Sequence, residues 1–129
     1  MSLKQLRITE ISFGSVQQTD SIQLRYKILR EPLGLQYDKS DLERENEDFH
    51  IAAILGEKVV GILLLKPFGK QIIKMRQVAV DTLWQGKTIG KSMVRFSEDF
   101  AREKGFTKIE MHSRETVIVF YLSLDYMLE

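Results

Sequence analysis

The residues best placed to do chemistry lie between Val78 and Ser92, where the chain reads Val78-Ala79-Val80-Asp81-Thr82-Leu83-Trp84-Gln85-Gly86-Lys87-Thr88-Ile89-Gly90-Lys91-Ser92. An apolar strand there enters a glycine-containing turn that opens an amphipathic helix. Such a junction aims several unpaired backbone N–H groups at one point and adds the positive end of the helix dipole. A pyrophosphate is the natural guest. The dipole contributes about 0.3–1 kcal/mol, whereas each hydrogen bond to a charged group contributes about 1.5–3 kcal/mol. Loop amides therefore dominate, and their backbone must stay accessible. Two plainer readings stand beside this one. In an ordinary strand-to-helix turn, Gly86 and Gly90 simply relieve crowding. A nucleotide P-loop is the other, but the Gly86–Ser92 run is one residue too short between its glycines to wrap phosphates in that way.

The remaining reactive residues are few. The chain has no cysteine, which excludes disulfides, a thiol nucleophile, zinc ribbons and cysteine-ligated clusters. His50 and His112 are the only histidines, far apart and outside any HExxH pair, so no dedicated metal site is expected. From Asp38 to Asp48 six acidic residues stand against Lys39 and Arg44, a pattern that usually marks a solvated face.

Around these residues stands a chain of 129 residues, the length of about one domain and enough to bury a core without staples. No repeat, linker or low-complexity tract divides it, so residues 1–129 are expected to form one domain. Nineteen basic and 18 acidic residues leave a net charge of +1, which removes the strongest argument for nucleic-acid or anionic-membrane binding. The longest apolar run, Val59 to Leu65, includes Gly61 and is far short of the ~20 residues that span a bilayer. The N-terminus lacks an apolar signal core. A cytoplasmic protein is expected.

Periodicity supplies the elements. Leu6, Ile8 and Ile11 suggest a first strand. Thr19 or Asp20 can cap a helix with the stripe Ile22, Tyr26, Leu29, which Pro32 stops near Arg30. Ser40 or Asp41 opens a short helical turn before Glu47. Strands His50–Leu55 and Lys58–Leu65, joined by Gly56-Glu57, read as an antiparallel hairpin. Pro67-Phe68-Gly69 turns into a third strand, Gln71–Val80. A helix from about Gly90 to Lys104 buries Ile89, Met93, Ser97, Phe100 and Ala101 and ends at Gly105. Lys108–His112 is a strand and Thr116–Leu124 a final helix. The fold class is α/β (α+β): a mixed, mostly antiparallel central sheet flanked by helices, with a parallel βαβ unit near the C-terminus.

The order of these elements and two motifs together carry a resemblance. Ala79 to Val94 resembles the acyl-CoA signature of the GNAT acetyltransferase superfamily, Arg/Gln-x-x-Gly-x-Gly/Ala after an apolar strand, with Gln85 at its first position and Gly90 at its last. Thr88 replaces the middle glycine. If that position needs a positive φ, a β-branched residue there costs about 1–2 kcal/mol. His112 to Tyr126 is similar to the family's later motif, H-x-R-x-x-A-x-x-F-Y-x-x-L-G-F/Y, whose HxR start is like that of small-molecule enzymes of the ElaA type. Arg25, Tyr26 and Arg30-Glu31 resemble that subgroup more weakly. Val117 stands for the usual alanine and Asp125 for the usual glycine.

The resemblance implies an N-acetyltransferase that moves acetyl from acetyl-CoA, its co-substrate, to a primary amine of a small molecule or peptide. Attack is direct, with neither a covalent intermediate nor a metal. Acetyl-CoA would lie between strands ending at Val80 and His112, its pantetheine arm on the backbone of Val78 and Val80. The amides of Gln85, Gly86, Lys87, Thr88, Ile89, Gly90 and Lys91 would hold the pyrophosphate. Lys87 and Lys91 either add charge there or are merely solvated. Tyr121 would protonate the departing thiolate; alternatively it is a core aromatic beside Phe120. Relatives place a glutamate as base where Arg76 stands, so the base falls among Glu47, Asp48, Glu110 and His112. His112 faces the cleft, with a hydrogen-bonded structural histidine as the alternative. The Asp38–Asp48 segment would border the acceptor cleft. A GNAT-fold acyl-CoA-binding or interaction protein impaired in catalysis is the competing function. Relatives continue past Tyr126 with two more strands, so Lys108–His112 is expected to keep an unpaired outer edge that favours a homodimer, unless Met127 to Glu129 fold back along it.

Overall fold

The structure, a computed structural model, describes residues 5–36, 38–86, 88–112 and 117–121, with the backbone alone for His112 and 117–121. Among the described residues six strands, β1 (Leu6–Ile11), β2 (Phe49–Leu55), β3 (Lys58–Phe68), β4 (Ile72–Val80), β5 (Lys108–His112) and β6 (Val117–Tyr121), form one sheet in chain order. All neighbours are antiparallel except β4 and β5. That parallel step requires a crossover, supplied by helix α3 (Ile89–Glu103). Helices α1 (Val16–Arg25) and α2 (Lys39–Arg44) fill the stretch between β1 and β2.

The central strands are buried on both faces, which explains the unbroken apolar runs of β2 and β3. On one face, Ile51, Leu63, Leu65, Ile73 and Met75 pack with Ile89, Met93 and Ala101 of α3. On the other, Ala52, Ile54, Ile62, Leu64 and Ala79 pack with Leu24 of α1 and with Ile28 and Leu29. Helix α3 comes so close to β3 that a Cβ on Gly61 would stand 3.0 Å from the Met93 methyl carbon. Its end is closed by Gly105 at φ +91°, with Phe106 N–H donating to Ala101 O and Gly105 N–H to Arg102 O, a left-handed cap that satisfies two of the last carbonyls.

Several boundaries differ from those read in the sequence. Helix α1 is capped by Ser15, whose hydroxyl accepts from Gln18 N–H, rather than by Thr19 or Asp20. The helical path leaves α1 through a wider turn, Tyr26–Arg30, and ends before a 3₁₀ turn that contains Pro32. Asp38, not Ser40 or Asp41, caps α2, its carboxylate accepting from Ser40 N–H at 2.9 Å. Strand β3 runs on through Pro67 to Phe68, so the turn before β4 falls at Gly69 and Lys70.

The largest correction concerns the final helix expected over Thr116–Leu124. Val117–Tyr121 is strand β6, paired antiparallel with β5 from His112↔Val117 to Lys108↔Tyr121. Five consecutive β-branched and aromatic residues fit a pleated surface better than a helix; Thr116 and 122–124 lie outside the described residues. The outer edge of Lys108–His112 is therefore occupied, which removes the ground on which a homodimer was expected. Met127 to Glu129 lie outside the described residues.

Candidate active site

Strand β4 supplies the first positioning device. Between the pairs Ile62↔Ala79 and Leu64↔Arg76, one residue of β3 faces two of β4, Gln77 and Val78. Gln77 takes φ +56°, a left-handed conformation that costs a non-glycine residue about 1–2 kcal/mol. A bulge of this kind bends its strand and sharpens the local twist. The β4–β5 ladder stops beside it: the last pair is Met75↔Met111, while His112 pairs outward with Val117. Val78 and Val80 thus stand on one side of the parting and the His112 backbone on the other.

The loop after β4 is built rigidly. Asp81 is buried; its N–H donates to Val60 O at 2.8 Å, and its own carbonyl accepts from Trp84 N–H at 2.8 Å. Its carboxylate accepts from Leu83 N–H at 3.0 Å and lies 3.6 Å from Lys58 Nζ. Gln85 Nε2 donates to Val80 O at 2.9 Å, so this side chain ties the loop to the strand end. Gly86 has φ +79° and Thr88 φ +68°. The middle position of the signature does require a left-handed residue, and Thr88 occupies it under strain.

Thr88 is the residue before α3, and its side chain makes no capping hydrogen bond. Its carbonyl accepts from both Ser92 N–H and Ser92 Oγ at 3.0 Å. The amides of Ile89, Gly90 and Lys91 precede the first intrahelical hydrogen bond and open toward the loop. Val80, Gln85, Gly86, Thr88, Ile89, Gly90 and Lys91 line one cavity of about 430 Å³ together with Trp84, a residue the sequence reading passed over. Lys87 lies outside the described residues. A Cβ on Gly90 would meet nothing within 4 Å, so the approach to these amides is open.

A second cavity, about 390 Å³, lies on the α1–α2 side of β4 and is lined by Arg30, Asp38, Asp41, Glu45, Asp48, Arg76 and Gln77, among others. The segment that forms it is anchored by Arg25, fully buried, whose two terminal nitrogens each donate to a Glu45 carboxylate oxygen at 2.8 Å. His50 Nε2 donates to Glu45 O at 2.9 Å, and the Phe13 ring stands edge-on to the imidazole. Sequence reading gave neither Arg25 nor His50 this work, because partners so far apart in the chain leave no local pattern.

Of the base candidates, Asp48 lines this cavity and Glu47 is exposed outside it. Burial pushes the Asp48 carboxyl above its ordinary 3.8, against the pull of Lys66. Glu110 lies in the β4–β5 ladder opposite Lys74. Tyr121 stands opposite Lys108, at the end of β5 away from the parting. The structure therefore brings the loop, the α3 terminus, Val80 and Asp48 around the upper part of β4, and leaves the Tyr121 backbone apart from them. No group of three metal-binding side chains occurs among the described residues, and none of their helices is long and apolar enough to cross a membrane.

A parallel pair that parts beside a glycine-containing loop at the start of a helix is the arrangement to set against known proteins. Residues 16–126 match the acetyltransferase (GNAT) family, and the chain belongs to that family. An acetyltransferase from Streptococcus agalactiae superposes with a TM-score of 0.72 at 18% identity, covering 88% of this chain and 76% of that one. An aminoglycoside acetyltransferase from an uncultured soil metagenomic sample, in complex with sisomicin, gives 0.71 at 21% identity, covering 88% and 82%. A GNAT family acetyltransferase from Elizabethkingia anophelis with acetyl-CoA bound gives 0.65 at 17% identity, covering 83% and 64%. At these identities the likeness establishes the fold.

Proposed function

We propose that residues 1–129 form a single cytoplasmic GNAT domain that transfers acetyl from acetyl-CoA to a primary amine. The observation that carries this reading is the end of the β4–β5 ladder at Met75↔Met111, directly before a loop whose amides converge at α3. An extended pantetheine arm fits along the side of Val78 and Val80 that the β4–β5 ladder leaves open, where Val80 O already accepts from Gln85 Nε2, as an added strand would. Its pyrophosphate meets the amides from Gln85 to Lys91, with the α3 dipole behind them. The amine nitrogen attacks the thioester carbon, the C–S bond breaks, and the thiolate leaves with a proton.

A lysine-like amine is about three pKa units too basic to be neutral at pH 7, a cost of about 4 kcal/mol. Asp48 is the group we assign to hold the ammonium and accept its proton, since it lines the second cavity and its carboxyl is pushed up. His112, beside the parting, is the second route. Assignment of Tyr121 as proton donor rests on the resemblance alone. Turnover of acetyl-CoA with a panel of primary amines tests the activity: amine-dependent CoA release supports it. Tight CoA binding without release favours the impaired binding protein, for which Arg76 at the usual position of the base speaks.

A further inference from the structure

Next to the second cavity lies a smaller one of about 270 Å³, lined among the described residues by Lys66, Phe68, Lys74 and Arg76. Lys66 and Lys74 are direct cross-strand partners, and Arg76 follows Lys74 by two positions, opposite Leu64. The alternation of a strand therefore puts all three cations on one face. Like charges directly opposite each other destabilise an antiparallel pair. Lys74 Nζ sits 4.0 Å from the Phe68 ring centroid, which holds one wall in place without neutralising it. No carboxylate lines this cavity among the described residues. Asp48 feels Lys66 and Arg76 from the adjoining cavity, and Glu110 stands beside Lys74 across the β4–β5 ladder. Lys66 and Arg76 line both, so the two spaces share a wall, acidic and basic on one side and purely cationic on the other.

We propose that Lys66, Lys74 and Arg76 form an anion subsite for the acceptor, which is therefore an amine carrying a carboxylate or phosphate at its far end. This deepens the acetyl-transfer reading and rests on it. Two strand residues span about 6.6 Å, so an anion among these cations lies several bonds from an amine held at Asp48 and Gln77. An α-amino acid, with both charges on one carbon, is too short. A chain of several bonds between the charges fits, and an uncharged amine of equal length leaves the cations unmatched.

The test is calorimetric titration with CoA at saturation, so that the loop before α3 is filled. The probes are hexylamine, 6-aminohexanoate and 4-aminobutyl phosphate, titrated into the wild type and into a Lys66→Gln/Lys74→Gln double variant. At least a tenfold tighter binding of 6-aminohexanoate than of hexylamine is expected in the wild type, shrinking to less than threefold in the variant. Preference for 6-aminohexanoate over 4-aminobutyl phosphate, which has the same span, assigns a carboxylate, and the reverse a phosphate. Equal affinity for acid and neutral amine, or an acid preference that survives in the variant, overturns the subsite. Failure of CoA to bind overturns the acetyl-transfer reading instead, and the amine titrations, run without CoA, still decide on the subsite.

Discussion

Thr88 shows how a single backbone angle connects sequence to function. Its φ of +68° costs a β-branched residue about 1–2 kcal/mol, of which glycine's extra chain entropy would take back about 0.5–1 kcal/mol. Thr88→Gly should therefore stabilise the protein by up to about 1.5 kcal/mol, read by thermal denaturation, and leave acetyl-CoA affinity unchanged or tighter. A clear loss of affinity would mean that Thr88 itself supplies a contact. Asp48 offers a second test. Its carboxyl is raised above 3.8 chiefly by burial, so the folded chain favours the protonated form. That contribution is complete below the unfolded value and is lost as pH rises through the folded one. Asp48→Asn should raise the melting temperature at pH 7 and not at pH 3, while amine-dependent kcat/KM falls by about 10²–10⁴-fold at pH 7. Unchanged kcat/KM would leave Asp48 outside the proton path. Tyr121→Phe tests the resemblance in the same way: a loss of about 10²–10⁴-fold in kcat is expected if its proton reaches the thiolate, and an unchanged kcat returns it to a structural part.

The elements hold these residues through contacts that differ in how visible they are in the sequence. Helix α3 was legible because its apolar stripe repeats with helical spacing and Gly105 closes it. Its depth was not, since the reason for Gly61 is Met93 on another element, 3.0 Å from where a Cβ would be. Gly61→Val should cost about 1–3 kcal/mol through overpacking, seen as a lower denaturation midpoint. The acidic segment keeps Asp38, Asp41, Glu43 and Glu47 exposed, as a solvated face does, and is pinned at Glu45 by the buried Arg25. Breaking such a pair costs about 3–5 kcal/mol. Arg25→Met should show that loss and raise KM for the amine, with the CoA dissociation constant unmoved; a weakened CoA affinity instead would mean that the pair supports the whole fold rather than this cavity. Val117–Tyr121 reads as part of a final helix in the pass for periodicity, and the structure makes it a strand. Its run of β-branched and aromatic residues carried the opposite signal.

Across the whole molecule, the order of elements made the fold legible, and the loop signature pointed to the residues that line the cavity at the start of α3. The two cavities proposed for the acceptor were not, because Lys66, Arg76 and Asp48 meet only when β3, β4 and the segment after α2 come together. The bulge that parts β4 from β5 was equally hidden: Gln77 adopts a positive φ without the glycine that would announce it. Everything proposed depends on acetyl-CoA entering that parting with its pyrophosphate at α3. Gly90→Asp tests this most directly. A side chain at Gly90 has open space, and an aspartate in the first turn of a helix favours the fold through the dipole, so the variant should melt no lower than the wild type. It nevertheless puts a negative charge where the phosphates must sit. Calorimetric titration of acetyl-CoA should give a dissociation constant at least tenfold weaker for Gly90→Asp than for the wild type. Equal affinities in two folded proteins would contradict the assignment of this loop as the pyrophosphate site.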